Sequence, residues 1–177
     1  MQNLIGEIIM KRSIYFMRHG ESEANVLGLL CGSIWDAELS ATGINQIKSK
    51  VEILKQRRIK TIISSPLKRA LHSAKILSKE LTFSEVRVTS DFLEQSYGEW
   101  EGKPFLEVKE KFLEGMDPPN GESHSSFKSR IIKGFTEIET IEGNLLIVAH
   151  GGVGTELMEL RGLQKRLIEN GELIQLV

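Results

Sequence analysis

Residues 14–22 read IYFMRHGES, an apolar run that ends in an arginine, a histidine and a glycine. The run is continuous rather than alternating, which is typical of a parallel strand buried on both faces. We therefore predict a strand at about residues 13–17, with Arg18 and His19 where it ends. The carboxyl ends of strands in an open α/β sheet are the usual place for a ligand.

A second apolar run, near the C-terminus, ends in the same way. Residues 145–149 read LLIVA and lead into His150, Gly151 and Gly152. Because the carboxyl ends of parallel strands meet at one edge of a sheet, we expect the fold to bring His150 and His19 together.

The pattern around these two runs alternates between strands and helices. The predicted elements are strand 13–17, loop 20–39, helix 40–57, strand 59–63, helix 66–77, strand 86–88, loop 91–102, helices 105–112 and 123–140, strand 145–149, helix 153–160 and strand 173–177. This order predicts an α/β fold, a three-layer α/β/α sandwich with a mostly parallel central sheet. We expect a single domain over residues 1–177.

Serines mark two of the predicted helix starts. We expect Ser40 to be the N-cap of the helix that follows it. Ser65 should cap the next helix, with Pro66 in the first helical position. Arg69 would then project near that helix start, where free N–H groups and the positive end of the helix dipole suit an anion.

The composition argues against several classes of protein. The chain has 177 residues, 40% hydrophobic and 27% charged, which is enough for one sheet covered on both faces. Its net charge of −1 argues against a general nucleic-acid or membrane-surface binder. The single cysteine, Cys31, excludes an internal disulfide framework and argues against a cysteine-rich metal site. No apolar run approaches the roughly 20 residues needed to span a bilayer.

The first residues do not read as a signal peptide. Residues 1–10 are partly apolar but include Glu7, and no basic segment precedes them. We therefore expect a cytoplasmic protein. Met10 is a second candidate start, directly before Lys11, and we interpret residues 1–10 as a disordered extension of the domain.

The residues at these strand and helix ends suit phosphoryl transfer. A phosphoryl group is a compact anion, and its transfer is catalysed mainly by positioning and by positive charge. Arg18 and Arg69 can bind its oxygens in bidentate fashion. Either His19 or His150 could be the nucleophile, and the other, if protonated, would add positive charge. A carboxylate such as Glu94 could protonate the leaving oxygen and later activate water.

Other interpretations stay open on the residues alone. A histidine after a strand is more often a surface or core-edge residue, and Arg69 in a helix is by itself more often solvated. Gly151 and Gly152 could form a tight turn and nothing more. A metal site built from His19, His150 and nearby carboxylates also stays open, although no short-spaced pair of ligands supports it.

Six segments, taken together, resemble the histidine phosphatase superfamily, whose fold is called phosphoglycerate mutase-like. They are residues 18–22 with Asn25, residues 36–40 with Gly43 and Gln46, residues 64–70 with Ala74, residues 93–94 with 98–102, residues 121–123, and residues 150–152. The resemblance extends from about residue 11 to residue 177, and it implies the same α/β fold.

The resemblance implies a role for each matching residue. His19 is similar in place to the nucleophile that becomes phosphohistidine, and Glu94 to the proton donor. The other implied phosphate contacts are Arg18, Arg69 and His150, and secondarily Asn25, Ser22 and the backbone at Gly151. Neither a metal nor an organic cofactor is implied, because two arginines and a second histidine supply the charge. In the family a backbone carbonyl orients the nucleophile, and here we expect that of Gly20 or of a neighbouring residue.

Two positions in the first loop depart from the family's usual pattern. Members often carry arginine where this chain has Leu29, and glutamine where it has Cys31. The missing cation at Leu29 weakens the case for a substrate with a second phosphate or a carboxylate. Cys31 is expected near the mouth of the pocket as a small hydrophobic residue.

The superfamily contains phosphatases and mutases, and the length of one segment favours the first. Only about 20 residues separate Gly102 from Glu122, so we expect a small lid that leaves the pocket open to water. We predict a phosphatase acting on a small phosphorylated metabolite, a monomer or homodimer without nucleic-acid or membrane partners. The alternatives are a phosphoglycerate mutase, an isomerase using 2,3-bisphosphoglycerate, and, more remotely, a non-catalytic phosphate-binding regulatory domain.

Overall fold

The computed structural model describes residues 12–81 and 84–177. Its strands are β1 Ile14–Arg18, β2 Ile59–Ser64, β3 Glu85–Val88, β4 Asn144–Ala149 and β5 Leu173–Gln175. They form one sheet in the order β3-β2-β4-β1-β5. β5 runs antiparallel to β1, and the other pairings are parallel. The predicted mostly parallel sheet is therefore confirmed.

The helices follow the predicted order closely in the second half of the chain. They are α1 Glu23–Val26, α2 Ala41–Lys48, α3 Val51–Gln56, α4 Lys68–Glu80, α5 Phe105–Leu113, α6 His124–Ile138 and α7 Gly151–Leu160. The loop predicted at residues 91–102 contains two 3-10 turns, Ser90–Phe92 and Gly98–Trp100.

Successive side chains of β1 point to opposite faces of the sheet, and both faces are covered. Phe16 lies in an apolar cluster with Phe127 of α6 and with residues of α7. Met17 lies in a second cluster with Ile47 of α2 and Leu77 of α4. Helices therefore pack on both sides of a sheet buried on both faces, and the predicted three-layer α/β/α sandwich is confirmed.

Residues 40–57 form two helices rather than the single helix predicted. Ser40 is the N-cap as expected, and its hydroxyl accepts a hydrogen bond from Gly43 N at 3.0 Å. Just after α2, the hydroxyl of Ser49 donates to the carbonyl of Gln46 at 2.7 Å. Such a local side-chain bond competes with the helical pattern, and the chain turns before α3 begins.

The prediction that Ser65 caps α4 and that Pro66 begins it is wrong. Leu67 is the N-cap, and α4 begins at Lys68. The backbone N–H of Lys68 donates to Oδ2 of Asp36, 2.6 Å away in a different loop. Because this carboxylate satisfies the start of α4, the hydroxyl of Ser65 is released for a contact with a histidine.

Two helix starts lie where the sequence analysis predicted none. α1 falls inside the predicted loop 20–39 and begins with a capping box between Ser22 and Asn25. Asn25 N donates to Ser22 Oγ at 3.3 Å, and Ser22 N donates to Asn25 Oδ1 at 3.0 Å. α7 begins at Gly151 rather than at Val153, so the two glycines belong to the helix and not to a tight turn.

Some expectations concern the ends of the chain. The extension predicted at residues 1–10 lies outside the described residues. β5 ends at Gln175, two residues before the predicted end of the last strand. Within residues 12–81 and 84–177, no helix combines the length and the apolar character that crossing a membrane requires.

Candidate active site

His19 and His150 come from the ends of two neighbouring strands. β1 and β4 pair in a register that places Arg18 beside Ala149, so each histidine follows at the same edge of the sheet. The two imidazole rings are 5.3 Å apart between centroids, with 60° between their planes. The prediction that the fold brings these two histidines together is confirmed.

The ring of His19 is oriented by a backbone carbonyl, as the family resemblance implied. Its Nδ1 lies 2.7 Å from the carbonyl oxygen of Gly20. A carbonyl only accepts hydrogen bonds, so Nδ1 carries the proton and Nε2 keeps its lone pair. Burial, reinforced by the charges of Arg69 and Arg18, holds the pKa of His19 well below its usual value. The imidazole is therefore neutral at pH 7 and can act as a nucleophile.

His150 is fully buried, and its two ring nitrogens differ in their partners. Nε2 lies 2.7 Å from Oγ of Ser65, and that oxygen also accepts a long bond from Leu67 N at 3.4 Å. Nδ1 has no hydrogen-bond partner among the described residues. Burial, followed by the charges of Arg69 and the neighbouring histidine, holds the pKa of His150 well below its usual value. Positive charge in the site therefore rests on arginine.

Arg69 is held rigidly although it lies near the start of a helix. Its side chain is fully buried, and Nη1 donates to Oδ1 of Asp36 at 2.9 Å. Nη2 donates to the carbonyls of Cys31 at 3.2 Å and Gly32 at 2.9 Å. The loop of residues 31–36 therefore fixes the guanidinium from behind while Arg69 lines the cavity.

Arg18 supplies the second guanidinium of the cavity. Nη1 donates to the carbonyl of Ile168 at 2.8 Å, whereas buried Nε has no partner among the described residues. Burial lowers the pKa of Arg18, and the carboxylate of Glu94 opposes that shift. At the start of α7, Gly151 lies so close that an added Cβ would be 3.6 Å from Nε of Arg18.

Glu94 lies on the loop between β3 and α5 and points its carboxylate at the start of α7. Oε1 accepts from Gln95 N at 3.0 Å, and Oε2 accepts from Gly152 N at 3.1 Å. The side chain is buried, and burial raises the pKa of Glu94 despite these two bonds. A Cβ at Gly152 would collide with Oε1 of Glu94, so only glycine permits this approach.

An ion pair that the sequence analysis missed holds the backbone of Glu94. Arg130 of α6 binds Glu122 in bidentate fashion, with Nε–Oε1 and Nη2–Oε2 distances of 2.7 and 2.8 Å. The same guanidinium donates to the carbonyls of Asp91, Leu93 and Glu94 at 3.0, 2.8 and 3.1 Å. The motif Gly-Glu-Ser marked Glu122, but nothing in the sequence connected it with Arg130.

Glu101 makes a second connection between loops, for which the sequence analysis assigned no role. Its Oε1 accepts from Tyr97 N at 3.0 Å, and its Oε2 accepts from Trp35 N at 2.6 Å. This carboxylate therefore joins the loop that carries Glu94 to the loop that holds Arg69.

The residues predicted as secondary phosphate contacts differ in position. Asn25 and Gly151 line the cavity. Ser22 has no exposed surface and lies outside the lining, and its hydroxyl donates to Asn25 Oδ1 at 3.0 Å. The sequence analysis also missed Asn170, whose Nδ2 donates to the carbonyl of His19 at 3.2 Å and to Asn25 Oδ1 at 3.1 Å.

His19, Arg18, Arg69 and Glu94 open into one cavity of about 410 Å³, whereas the fully buried His150 is not among its lining residues. Its polar end is lined by Arg18, His19, Asn25, Arg69, Glu94, Gly151, Gly152 and Thr155. The remainder of its lining consists of Gly28, Leu29, Leu30, Cys31, Tyr97, Phe105, Phe112 and Leu167. In the described part of the chain, no group of three or more histidine, cysteine, aspartate or glutamate side chains is arranged to hold a metal ion.

Known proteins share this sequence pattern. A sequence model of the histidine phosphatase superfamily (branch 1) matches residues 14–171. A Bacillus subtilis protein described as uncharacterized phosphatase PhoE is 33% identical over 153 residues, which cover 85% of this chain and 78% of that protein. A 2,3-bisphosphoglycerate-dependent phosphoglycerate mutase of Cytophaga hutchinsonii is 31% identical over 163 residues, which cover 82% of this chain and 75% of that protein.

A solved structure shares the fold. The mycobacterial glucosyl-3-phosphoglycerate phosphatase in complex with VO3 matches with a TM-score of 0.82 at 26% identity. The match covers 93% of this chain and 92% of that one. The phosphoglycerate mutase-like fold implied by the sequence resemblance is therefore confirmed, and the similar proteins include both phosphatases and a mutase.

Proposed function

This chain belongs to the histidine phosphatase superfamily (branch 1), and we propose that it is a hydrolase that cleaves small phosphate monoesters through a phosphohistidine on His19. One observation carries the proposal. The Nδ1 of His19 is held by the carbonyl of Gly20 at 2.7 Å, in a cavity that Arg18, Arg69 and Glu94 also line. A neutral imidazole beside two guanidinium groups and a buried carboxyl group is suited to covalent phosphoryl transfer.

In the first step His19 takes the phosphoryl group from the ester. Arg18 and Arg69 bind the phosphoryl oxygens and offset the charge that develops on them. Nε2 of His19 forms a bond to phosphorus as the bond between phosphorus and the ester oxygen breaks. Glu94, whose pKa is raised by burial, gives a proton to the departing alkoxide, which leaves as an alcohol.

In the second step water releases the phosphoryl group. The carboxylate of Glu94, now without its proton, takes a proton from the attacking water. The water oxygen bonds to phosphorus as the bond from phosphorus to Nε2 of His19 breaks. Inorganic phosphate leaves, and both Glu94 and His19 return to their initial protonation states.

His150 acts as a neutral hydrogen-bond donor in this scheme. Because Oγ of Ser65 accepts a bond from Leu67 N, its hydroxyl proton is available to Nε2 of His150. That arrangement places the remaining ring proton on Nδ1, which can donate to a phosphoryl oxygen. Asn25 would contact the phosphate as well, while Ser22 holds Asn25 through the capping box.

We favour hydrolysis over the mutase reaction, in which the phosphoryl group would be returned to the organic molecule, because little of the chain covers the cavity. Apart from the phosphate contacts, the lining comes from one short helix, α5, and from loops, and we propose that so small a cover leaves a path for water. A phosphoglycerate mutase is the second candidate, since a mutase is among the proteins to which this chain is similar. We further propose that the enzyme acts in the cytoplasm without metal or organic cofactor, as a monomer or homodimer, on a small phosphorylated metabolite.

One incubation separates the two activities. Purified protein is mixed with 3-phosphoglycerate, with and without 2,3-bisphosphoglycerate, in EDTA, and both 2-phosphoglycerate and free phosphate are followed. His19→Ala protein is the control, and 4-nitrophenyl phosphate is a second substrate. Phosphate release from either compound supports the phosphatase, whereas isomerisation without release would make it a mutase. No turnover of either compound would contradict both enzyme activities and leave the non-catalytic binding domain.

A further inference from the structure

The part of the cavity lining that does not belong to the phosphate contacts is made mainly of apolar and aromatic side chains, among which Tyr97 also carries a hydroxyl. We call this part the apolar wall, and it consists of the side chains of Leu29, Leu30, Tyr97, Phe105, Phe112 and Leu167. Any group attached to the transferred phosphoryl would lie against these side chains, because the polar end of the cavity is occupied by the phosphoryl contacts. The chemistry of the apolar wall therefore determines which organic group is accepted.

Three aromatic rings form the centre of the apolar wall. The ring of Phe112 lies 5.6 Å from that of Tyr97 and 6.2 Å from that of Phe105, measured between centroids. Phe105 and Phe112 are seven residues apart on α5, two turns along one face of the helix. They are 41% and 38% exposed, so each ring has a free face for an apolar ligand.

Backbone hydrogen bonds hold the leucine side of the apolar wall in place. Leu30 N donates to the carbonyl of Lys103, and Gly102 N donates to the carbonyl of Leu30, both at 2.8 Å. Leu29 forms an isolated antiparallel bridge with Pro104, directly before α5. The surface is therefore largely formed before a ligand arrives, which lowers the entropy cost of binding.

The charges of the cavity are all near the phosphoryl position. Among the lining residues of the described chain, the cationic side chains are Arg18 and Arg69. Arg69 already pairs with Asp36 at 2.9 Å, and Glu94 adds a carboxyl group to the same end. A second phosphate or a carboxylate on the substrate would lose its water against the apolar wall and find no cation there, which is costly.

We propose that the enzyme selects phosphate monoesters whose organic group is apolar and uncharged, such as an aryl or arylalkyl group, and that Phe105, Phe112 and Leu29 determine this selectivity. The inference rests on the proposed function for its turnover assay but not for its binding assay. It identifies the substrate class by the chemistry of the apolar wall, and it excludes substrates that carry a second anionic group.

The test compares three esters that all release a primary alcohol, namely 3-phenylpropyl phosphate, glycerol 3-phosphate and 3-phosphoglycerate. The first has no intrinsic advantage as a leaving group, so any preference for it arises from binding. We expect kcat/KM for 3-phenylpropyl phosphate to exceed that for 3-phosphoglycerate by about 100-fold. Equal values, or a preference for 3-phosphoglycerate, would overturn the inference.

Variants of the apolar wall separate its role from general damage. Phe112→Ala should lower kcat/KM for 3-phenylpropyl phosphate about 10-fold and change that for glycerol 3-phosphate far less. Leu106→Ala is the matched control, since Leu106 lies on the same helix, is 80% exposed and is not part of the lining. Leu29→Arg should reduce the discrimination against 3-phosphoglycerate. Equal losses for all esters in Phe112→Ala, together with unchanged discrimination in Leu29→Arg, would contradict the proposal.

Calorimetry with His19→Ala protein makes the inference independent of turnover. In this variant the three esters bind without being cleaved, and 3-phenylpropyl phosphate should have the lowest Kd. If the wild-type protein cleaved nothing but this order of Kd held, the proposed function would fail and the inference would stand. If the esters were cleaved and the order were reversed, only the inference would fail.

Discussion

The two ends of the cavity are built in different ways. At the phosphate end, buried side chains are held by backbone groups, as in the pairs His19 with Gly20 and Arg69 with Gly32. At the apolar wall, the two partly exposed rings of α5 pack on each other and on the buried ring of Tyr97. The proposed function therefore assigns the reaction to the sheet edge, and the further inference assigns the choice of substrate to a short helix and one loop.

This difference predicts which changes affect every substrate and which affect only some. A polar group at the phosphate end is buried, so moving it leaves an unpaired charge or hydrogen-bonding group. The partly exposed rings of Phe105 and Phe112 in the apolar wall can be removed at the cost of contact area alone. Substitutions at the phosphate end should therefore lower activity on all esters, in contrast to the selective losses expected for the apolar wall.

The largest effect is expected for His19→Ala. Removing the nucleophile should lower kcat by about 10⁴-fold or more on every ester, because no covalent intermediate can form. Phosphate release is the measurement, and a circular dichroism melt checks that the fold survives. Residual activity above about one percent of the wild-type value would contradict the expectation that a change at the phosphate end removes activity on every ester.

Glu94→Gln should have the next largest effect, and its size should depend on the leaving group. Without a proton donor, turnover of alkyl esters should fall by about 10²–10⁴-fold. For 4-nitrophenyl phosphate, whose leaving group needs no proton, the fall in the first step should be much smaller. The ratio of the two losses, read from single-turnover rates, is the measurement. Equal losses for both leaving groups would contradict the assignment of Glu94 as the acid.

The pH dependence follows from two shifted pKa values. The pKa of His19 is lowered, so the imidazole stays neutral as the pH falls below its usual range. The pKa of Glu94 is raised, so the carboxyl group keeps its proton to higher pH than an exposed glutamate does. Activity needs both forms, so kcat/KM should peak on the acidic side of neutrality and fall about tenfold per pH unit above the pKa of Glu94.

Profiles of the wild type and of Glu94→Gln protein check this account. The alkaline decline should disappear in the variant when an activated aryl ester is the substrate. A wild-type optimum on the alkaline side of neutrality would be the contrary result.

The smallest of these effects is expected for Glu122→Gln. The change weakens the bidentate pair with Arg130, whose other N–H groups hold the carbonyls around Glu94. A slightly displaced acid should lower kcat about 10-fold on alkyl esters with little change in KM. Glu99→Gln is the matched control, because Glu99 lies on the surface and bonds Asn120. A loss equal for alkyl and activated aryl esters would indicate a merely structural role.

The sequence predicted the residues of the phosphate end better than the residues that hold them in position. His19 and His150 follow continuous apolar runs, which are typical of buried strands, so their meeting at one sheet edge followed from topology. Glu94 and Arg69 were recognised through the family resemblance, because neither is distinctive among 24 acidic and 23 basic residues. Their role at this site depends on the tertiary fold, which no local pattern encodes.

The residues that hold the phosphate end in position were missed because their hydrogen-bond partners are distant in sequence. Arg130 binds carbonyls of residues 91–94, which lie 36 to 39 residues earlier in the chain. Asn170 binds the carbonyl of His19, which lies 151 residues earlier. Ser65 was misread for a related reason. It satisfies the local rule for a helix cap, but Asp36 takes that role from another loop and frees its hydroxyl for a buried histidine.

The most direct test of the account is to trap the intermediate. Wild-type protein is mixed rapidly with 4-nitrophenyl phosphate, quenched in alkali and examined by mass spectrometry of its peptides. The account predicts one phosphoryl group, stable in alkali and lost in acid, on the peptide that contains His19, and none in His19→Ala protein. A phosphoryl group on His150 instead, or turnover without any trapped phosphohistidine, would contradict it.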